Sequence, residues 1–244
     1  EYNFNGNVTF KGGSGVKFSA ADPSIDTDGE ASSIDFETGI ELVDSANIGI
    51  TTEDGTITLS TIAGTDANAT TAVTINSGSA NTTLEGALST DLGAVTITST
   101  GTIFIGDDIT TNAGAIDISG AVQLMTNNID ISTGTGAAVT FDSTIDNKSG
   151  EDNNLTIASG TGDVSLGGAS AHIGTTTAIG NLKVNAESGT GDITLVGNIG
   201  TGNIISINKC KIDWCSISIN EYNGWIYKKN IWGVEDKEII DVNF

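Results

Sequence analysis

Arginine is absent from the 244 residues, proline and histidine occur once each (Pro23, His172), and cysteine occurs only at Cys210 and Cys215. Each shortage excludes something. Nine lysines face 31 acidic residues, for a formal net charge of −22. So few cations cannot assemble the positive patch that a phosphate backbone or an anionic membrane surface requires, so no nucleic-acid partner is expected. One histidine and two distant cysteines cannot supply a closed zinc site, and no metal or cofactor is expected. No run approaches the roughly 20 consecutive apolar residues of a membrane helix, so no transmembrane segment is expected. Charged residues make up 16% of the chain, below the roughly 25% of ordinary globular domains. Mean hydropathy is nevertheless just above zero, which is not the signature of a disordered chain.

Glycine, by contrast, contributes 32 residues. Between the glycines and the Asn, Asp, Ser and Thr positions run apolar–polar–apolar triplets. Val8-Thr9-Phe10, Val16-Lys17-Phe18, Ile34-Asp35-Phe36, Ile57-Thr58-Leu59, Val73-Thr74-Ile75 and Val95-Thr96-Ile97 have this form. So do Ile116-Asp117-Ile118, Val139-Thr140-Phe141, Leu155-Thr156-Ile157, Val164-Ser165-Leu166, Leu182-Lys183-Val184 and Ile193-Thr194-Leu195. Period-two alternation marks a half-buried strand, and glycine recurs too often for helices. The expected class is all-β.

Spacing selects the architecture. Ile34 and Ile57 lie 23 residues apart, Val73 and Val95 22, Val95 and Ile116 21, and Ile116 and Val139 23. A repeat in the low twenties, divided into two or three short strands, is the mark of a solenoid. A sandwich or barrel needs no constant period. The expectation is a right-handed parallel β-helix (β-solenoid) of roughly nine coils stacked about 4.8 Å apart. Inward apolar rows would pile up, with Thr, Ser and Asp facing outward and Gly, Asn and Asp making the turns.

Composition changes near Asn208. Residues 1–207 hold 25 acidic residues and four lysines but no Cys or Trp, whereas residues 208–244 hold five lysines, both cysteines and all three tryptophans. Residues 1–207 are read as the β-helical repeat region and 208–244 as a short C-terminal β module. In the latter, Trp214-Cys215-Ser216-Ile217 and Tyr222-Asn223-Gly224-Trp225-Ile226 read as two strands around a turn.

Two resemblances follow. The runs Gly93–Gly120 (GAVTITSTGTIFIGDDITTNAGAIDISG) and Gly180–Gly202 (GNLKVNAESGTGDITLVGNIGTG) resemble the strand repeats of filamentous-haemagglutinin-type adhesins and autotransporter passengers. That likeness spans most of residues 1–207 and implies a surface or exported location. Residues 208–244 resemble the C-terminal half of bacterial Src-homology-3-like domains of exported proteins, through the W-C-x-I strand and the Gly224-Trp225-Ile226 strand.

Several constellations invite chemistry. SGTGDVSLGG (Ser159–Gly168) recurs 29 positions later as SGTGDITLVG (Ser188–Gly197). A calcium nonapeptide needs Asp two residues after Gly, in adjoining repeats. Here Asp163 and Asp192 directly follow Gly162 and Gly191, and the two copies read as non-adjoining. The cassette is expected to be a turn whose Asp bonds its own backbone. Asp107-Asp108, Glu53-Asp54 and the Asp26–Glu30 run are candidate catalytic carboxylates, but paired carboxylates act only at a defined separation across a substrate. Solvated turn residues are the expected reading, with no catalytic residue assigned. His172 is expected to be a loop histidine.

Cys210 and Cys215 form a candidate disulfide. Residues five apart on one uninterrupted strand face opposite ways, so a bend or bulge is required between them. The Src-homology-3-like resemblance implies such a pair, and two thiols packed with Trp214 are the alternative. Tyr222, Trp225, Tyr227 and Trp232 are candidate ligand-stacking aromatics, against the alternative that they form the module's core.

The resulting expectation is a non-enzymatic bacterial surface-exposed or secreted adhesin-type segment. It would present a β-helical rod for multivalent contact with host-cell or matrix glycan or protein. Two other functions remain open: a carbohydrate-active β-helix enzyme, lyase or hydrolase, and a cell-envelope or peptide-binding role for the C-terminal module.

Overall fold

The computed structural model describes residues 1–19, 22–27, 31–43, 46–65, 71–89, 91–134, 136–168, 172–186, 191–196, 199, 205–210, 214–219 and 222–227. Among them every regular element is a strand, and no helix is long and apolar enough to cross a membrane. The chain divides into two compact units, Glu1–Gly200 and Thr201–Phe244.

The first unit is a parallel β-solenoid with three faces. Its first face stacks Tyr2–Phe4, Ser24–Thr27, Ile48–Thr52, Val73–Asn76, the first part of Val95–Ile105, the first part of Ile116–Leu124, Val139–Phe141, Val164–Leu166 and Ile193–Leu195. The second stacks Val8–Phe10, Ile34–Phe36, Ile57–Leu59, Thr82–Leu84, the remainders of the two long strands, and Ile145–Asn147. The third runs from Val16–Phe18 through Ile40–Leu42, Ile62–Gly64, Leu88–Ser89, Ile109–Thr110, Ile129–Ser132 and Leu155–Gly160 to Leu182–Ala186.

Each of the four sequence spacings reappears as a parallel register pair: Ile34↔Ile57, Val73↔Val95, Val95↔Ile116 and Ile116↔Val139. Seven coils carry a strand on every face, fewer than the nine expected. Beyond them the second face is reduced to the bridges Ile145↔Ile173 and Ile173↔Ile199. Between Leu166 and Leu182 the sequence supplies Gly, Ser and Thr around isolated apolar residues in place of an alternating row, and among the described residues of that span the isolated bridge at Ile173 is what continues the second face.

The inward rows form one core. Ile34, Ile57, Ile97, Ile118, Ile131 and Ile157 are fully buried within it, and the Phe10 and Phe36 rings of the first two coils stack at 4.2 Å with an interplanar angle of 11°. Burying each such side chain contributes about 1.5–3 kcal/mol. The two ion pairs among the described residues, Lys11–Glu37 and Lys17–Glu41, both join the first coil to the second and are exposed. Exposed pairs contribute about 0–1 kcal/mol, so the stacked apolar rows hold the rod.

Not all Thr and Ser face outward, which corrects the sequence expectation. Where the first face turns into the second, Thr27, Thr52, Ser77 and Ser99 are buried one above another. Their hydroxyls donate to the carbonyls of Ser32, Gly55, Ala80 and Ala80 respectively. A second column, Thr111, Thr133 and Ser159, lies where the third face turns back to the first, and donates to Gly114, Ala137 and Gly162. Each corner reverses the chain within a few residues and strands a carbonyl inside. A short hydroxyl side chain satisfies it where an apolar one could not.

The second unit contains a three-stranded antiparallel sheet in chain order, Ile205–Cys210, Trp214–Ile219 and Tyr222–Tyr227. Ile205-Ser206-Ile207 reads as one more solenoid triplet, yet it pairs antiparallel with Ile217-Ser218-Ile219. Period-two patterning fixes which residues share a face, not the direction of the neighbouring strand.

Candidate functional site

The polar residues that punctuate the triplets act between coils. Asn7 Oδ1 accepts from Ser33 N at 2.9 Å, Asn47 Oδ1 from Ala72 N at 2.8 Å, and Asn81 Oδ1 from Thr102 N at 2.9 Å. The acidic pairs behave alike. Asp54 Oδ1 accepts from both Ser79 N and Ser79 Oγ, and Asp108 Oδ1 accepts from Asp130 N at 2.8 Å. The Ser79 hydroxyl and then its N–H hold the Asp54 carboxyl below its ordinary range. Such a group is an acceptor fixed in its charged form, opposite to what a general acid needs. Asp107 Oδ1 accepts from Asp108 N within its own turn. Asp26 lies on the first face, half-buried, while positions 28–30 of its acidic run lie outside the described residues.

The duplicated cassette belongs to this system. Val164↔Ile193 and Leu166↔Leu195 are register pairs, so the two copies are stacked on adjoining coils, contrary to the sequence reading. The longer spacing of 29 residues reflects the enlarged connection that replaces the second-face strand. Asp192 N donates to Asp163 Oδ1 at 2.9 Å. Asp163 therefore holds the backbone of the next coil, where a bond to its own turn was expected. Glycine is required beside it: a Cβ on Gly191 would stand 2.5 Å from Gly162 O. No group of three or more His, Cys, Asp or Glu able to hold a metal occurs among the described residues. His172 is half-buried in the connection that replaces the second face, and its carbonyl accepts from Ile145 N at 3.1 Å.

One pair of carboxylates was not singled out by the sequence. Asp117 faces outward on the first face between Thr96 and Thr140, and Asp142 follows Phe141 on the next coil. Burial, and then the charge on Asp142, raises the Asp117 carboxyl above its ordinary range. Asp142 Oδ2 accepts from Ser119 Oγ at 2.8 Å. Beside Asp142 lies an open recess of about 420 Å³ lined by Thr98, Ser99, Thr100, Ser119, Gly120, Ala121, Asp142 and Ser143. It exists because Val95–Ile105 and Ile116–Leu124 run through the corner as continuous strands, with Gly120 at φ +152°, so the usual protruding turn is missing. One of these two coils was marked in the sequence by the shortest spacing, the 21 residues from Val95 to Ile116.

In the second unit, Cys210 and Cys215 lie on successive antiparallel strands and stand opposite each other as register partners, so they do not share one uninterrupted strand. Trp214 pairs with Tyr227 and is about half exposed, and Ser216 pairs with Trp225. Along Tyr222–Tyr227, position 222 falls on one face of the sheet and positions 225 and 227 on the other. Trp232 lies outside the described residues.

The profile of the bacterial SH3 domain family matches residues 198–233, a stretch that contains all three antiparallel strands and begins before the change of composition at Asn208. Comparison with curated proteins and with solved structures returns no match. The molecule thus joins a β-solenoid to a segment similar to a bacterial SH3 domain, a combination that fits a surface or cell-wall-associated protein.

Proposed function

We propose that this chain is a non-enzymatic, surface-exposed or secreted adhesin-type segment. The solenoid presents outward loops at coil spacing to host-cell or matrix glycan or protein, and the second unit contacts a component of the bacterial envelope. The observation that carries the reading is the use of the turn carboxylates. Asp54, Asp108 and Asp163 each bind the backbone of the coil above and are spent on holding the rod. What remains outward is a lattice of Thr, Ser, Asn and Asp held at fixed intervals, which suits many weak contacts that add through avidity. The similarity to a bacterial SH3 domain supports an envelope association.

A carbohydrate-active enzyme is the second reading. The observation in its favour is Asp117, whose pKa is raised by burial and then by Asp142, together with the open recess that Asp142 lines. Hydrolysis requires a proton-bearing carboxyl and a second carboxylate across the substrate.

Protease treatment of intact cells that produce the full chain tests the first reading. Cleavage of the chain without lysis is expected, together with retention on matrix-coated surfaces that falls steeply when the rod is presented as a monomer at low density. Recovery only from the soluble interior of the cells would refute it. Turnover of acidic or neutral polysaccharides that is lost in Asp117→Asn would replace it with the second.

A further inference from the structure

The second face changes character at its last strand, Ile145–Asn147. Leu124 of the coil below pairs with Asn147, so an amide occupies the inward row where a leucine is expected. Asn153, in the connection that follows, also points into the core. The two residues are 1% and 0% exposed.

Their amide nitrogens are committed. Asn147 Nδ2 donates to Ala178 O at 2.7 Å, and Asn153 Nδ2 donates to Leu124 O at 2.9 Å. These bonds fix the rotation of both amides, because turning either one over would set an oxygen against a carbonyl oxygen. Both Oδ1 atoms are left as fully buried acceptors to which no described group donates. The two residues lie side by side, since Asn147 Nδ2 also lies 3.5 Å from the backbone carbonyl oxygen of Asn153.

We propose that Asn147 and Asn153 form an internal hydration site in which one water donates a hydrogen to each Oδ1. The chemistry selects water. The site needs two donors from one small neutral group, and buried waters make about three hydrogen bonds to polar atoms otherwise left unpaired. A hard cation would demand six or so oxygens and a compensating charge. The adjacent carboxylate, Asp146, is already occupied by Thr176 N and Thr177 N at 2.9 and 3.2 Å. The position gives the water a purpose. Leu124 belongs to the sixth coil, Asn147 and Asn153 to the seventh, and Ala178 to the eighth. The bridged amides therefore tie three coils together where the second face loses its continuous strands.

Water–amide cross-relaxation on the isotopically labelled full chain tests the site. A resident water gives laboratory-frame and rotating-frame effects of opposite sign at the side-chain amide protons of Asn147 and Asn153. Their absence at both amides would overturn the proposal. In Asn147→Leu the effect at Asn153 is expected to disappear while resonances of the second to fifth coils keep their shifts. Its persistence at full intensity would overturn the shared bridge. If that variant does not fold, the measurement on the unmodified chain decides alone.

Discussion

Replacing Thr133 by valine separates a corner hydroxyl from an outward one at nearly constant shape. Thr133 is fully buried, and its hydroxyl donates to Ala137 O at 2.8 Å across the corner between the third and first faces. Valine fills the same space but leaves that carbonyl without its donor, at a cost of about 1–3 kcal/mol. The methyl group that replaces the hydroxyl returns roughly 0.8 kcal/mol of burial. The expected net loss is on the order of 1 kcal/mol, or about fivefold in the folding equilibrium. Thr140 is the control: it faces outward in Val139–Phe141, and Thr140→Val should change stability by no more than about 0.5 kcal/mol in either direction. Thr133→Ser keeps the donor and should recover most of the hydrogen-bond contribution. Urea midpoints at constant slope measure all three. Equal midpoints for Thr133→Val and Thr140→Val, both at the value of the unmodified chain, would refute the claim that buried hydroxyls close the corners.

Three further outcomes follow from the same coordinates. Ile97→Ala should lose about 2–5 kcal/mol and Thr96→Ala about 0.5 kcal/mol or less, because Ile97 is buried between Ile75 and Ile118 while its neighbour faces solvent; similar losses in urea titrations would contradict the register. Asp117 carries a raised pKa from burial and then from Asp142, so the folded chain retains a proton that the unfolded chain has released. That contribution is complete below the unfolded pKa and is lost as pH rises through the folded one. The stability of Asp117→Asn relative to the unmodified chain should therefore grow as pH rises from about 4, the ordinary aspartate range, through the raised folded pKa, and parallel profiles would discount the burial. Cys210 and Cys215 stand opposite in register, so the chain recovered from an oxidising compartment should weigh two hydrogens less than its reduced form and resist alkylation until reduced; ready alkylation of both thiols would rule out the disulfide.

The repeat period was legible because each coil must return an apolar pair to the same inward row, and Ile34, Ile57, Val73, Val95, Ile116 and Val139 all obey that demand. The corner hydroxyls were not legible. Thr133 and Thr140 have the same side chain, and only the path of the backbone decides which one meets a stranded carbonyl. The adjoining position of the two SGTGD cassettes was hidden by the enlarged connection between Leu166 and Leu182, which lengthens one coil without breaking the first-face register. The antiparallel turn taken by Ile205-Ser206-Ile207 was hidden for a related reason, since alternation encodes faces rather than strand direction.

The turn carboxylates carry the same lesson into the candidate site. A chain of charge −22 appears rich in catalytic acids when read as a line. Stacking changes the role of those acids, because every coil brings backbone N–H groups of the next one to the turns below. Asp54, Asp108 and Asp163 answer those donors as acceptors. Asp117 differs because it sits within a first-face strand, between Thr96 and Thr140, and not in a turn: one of its oxygens is buried and unpartnered.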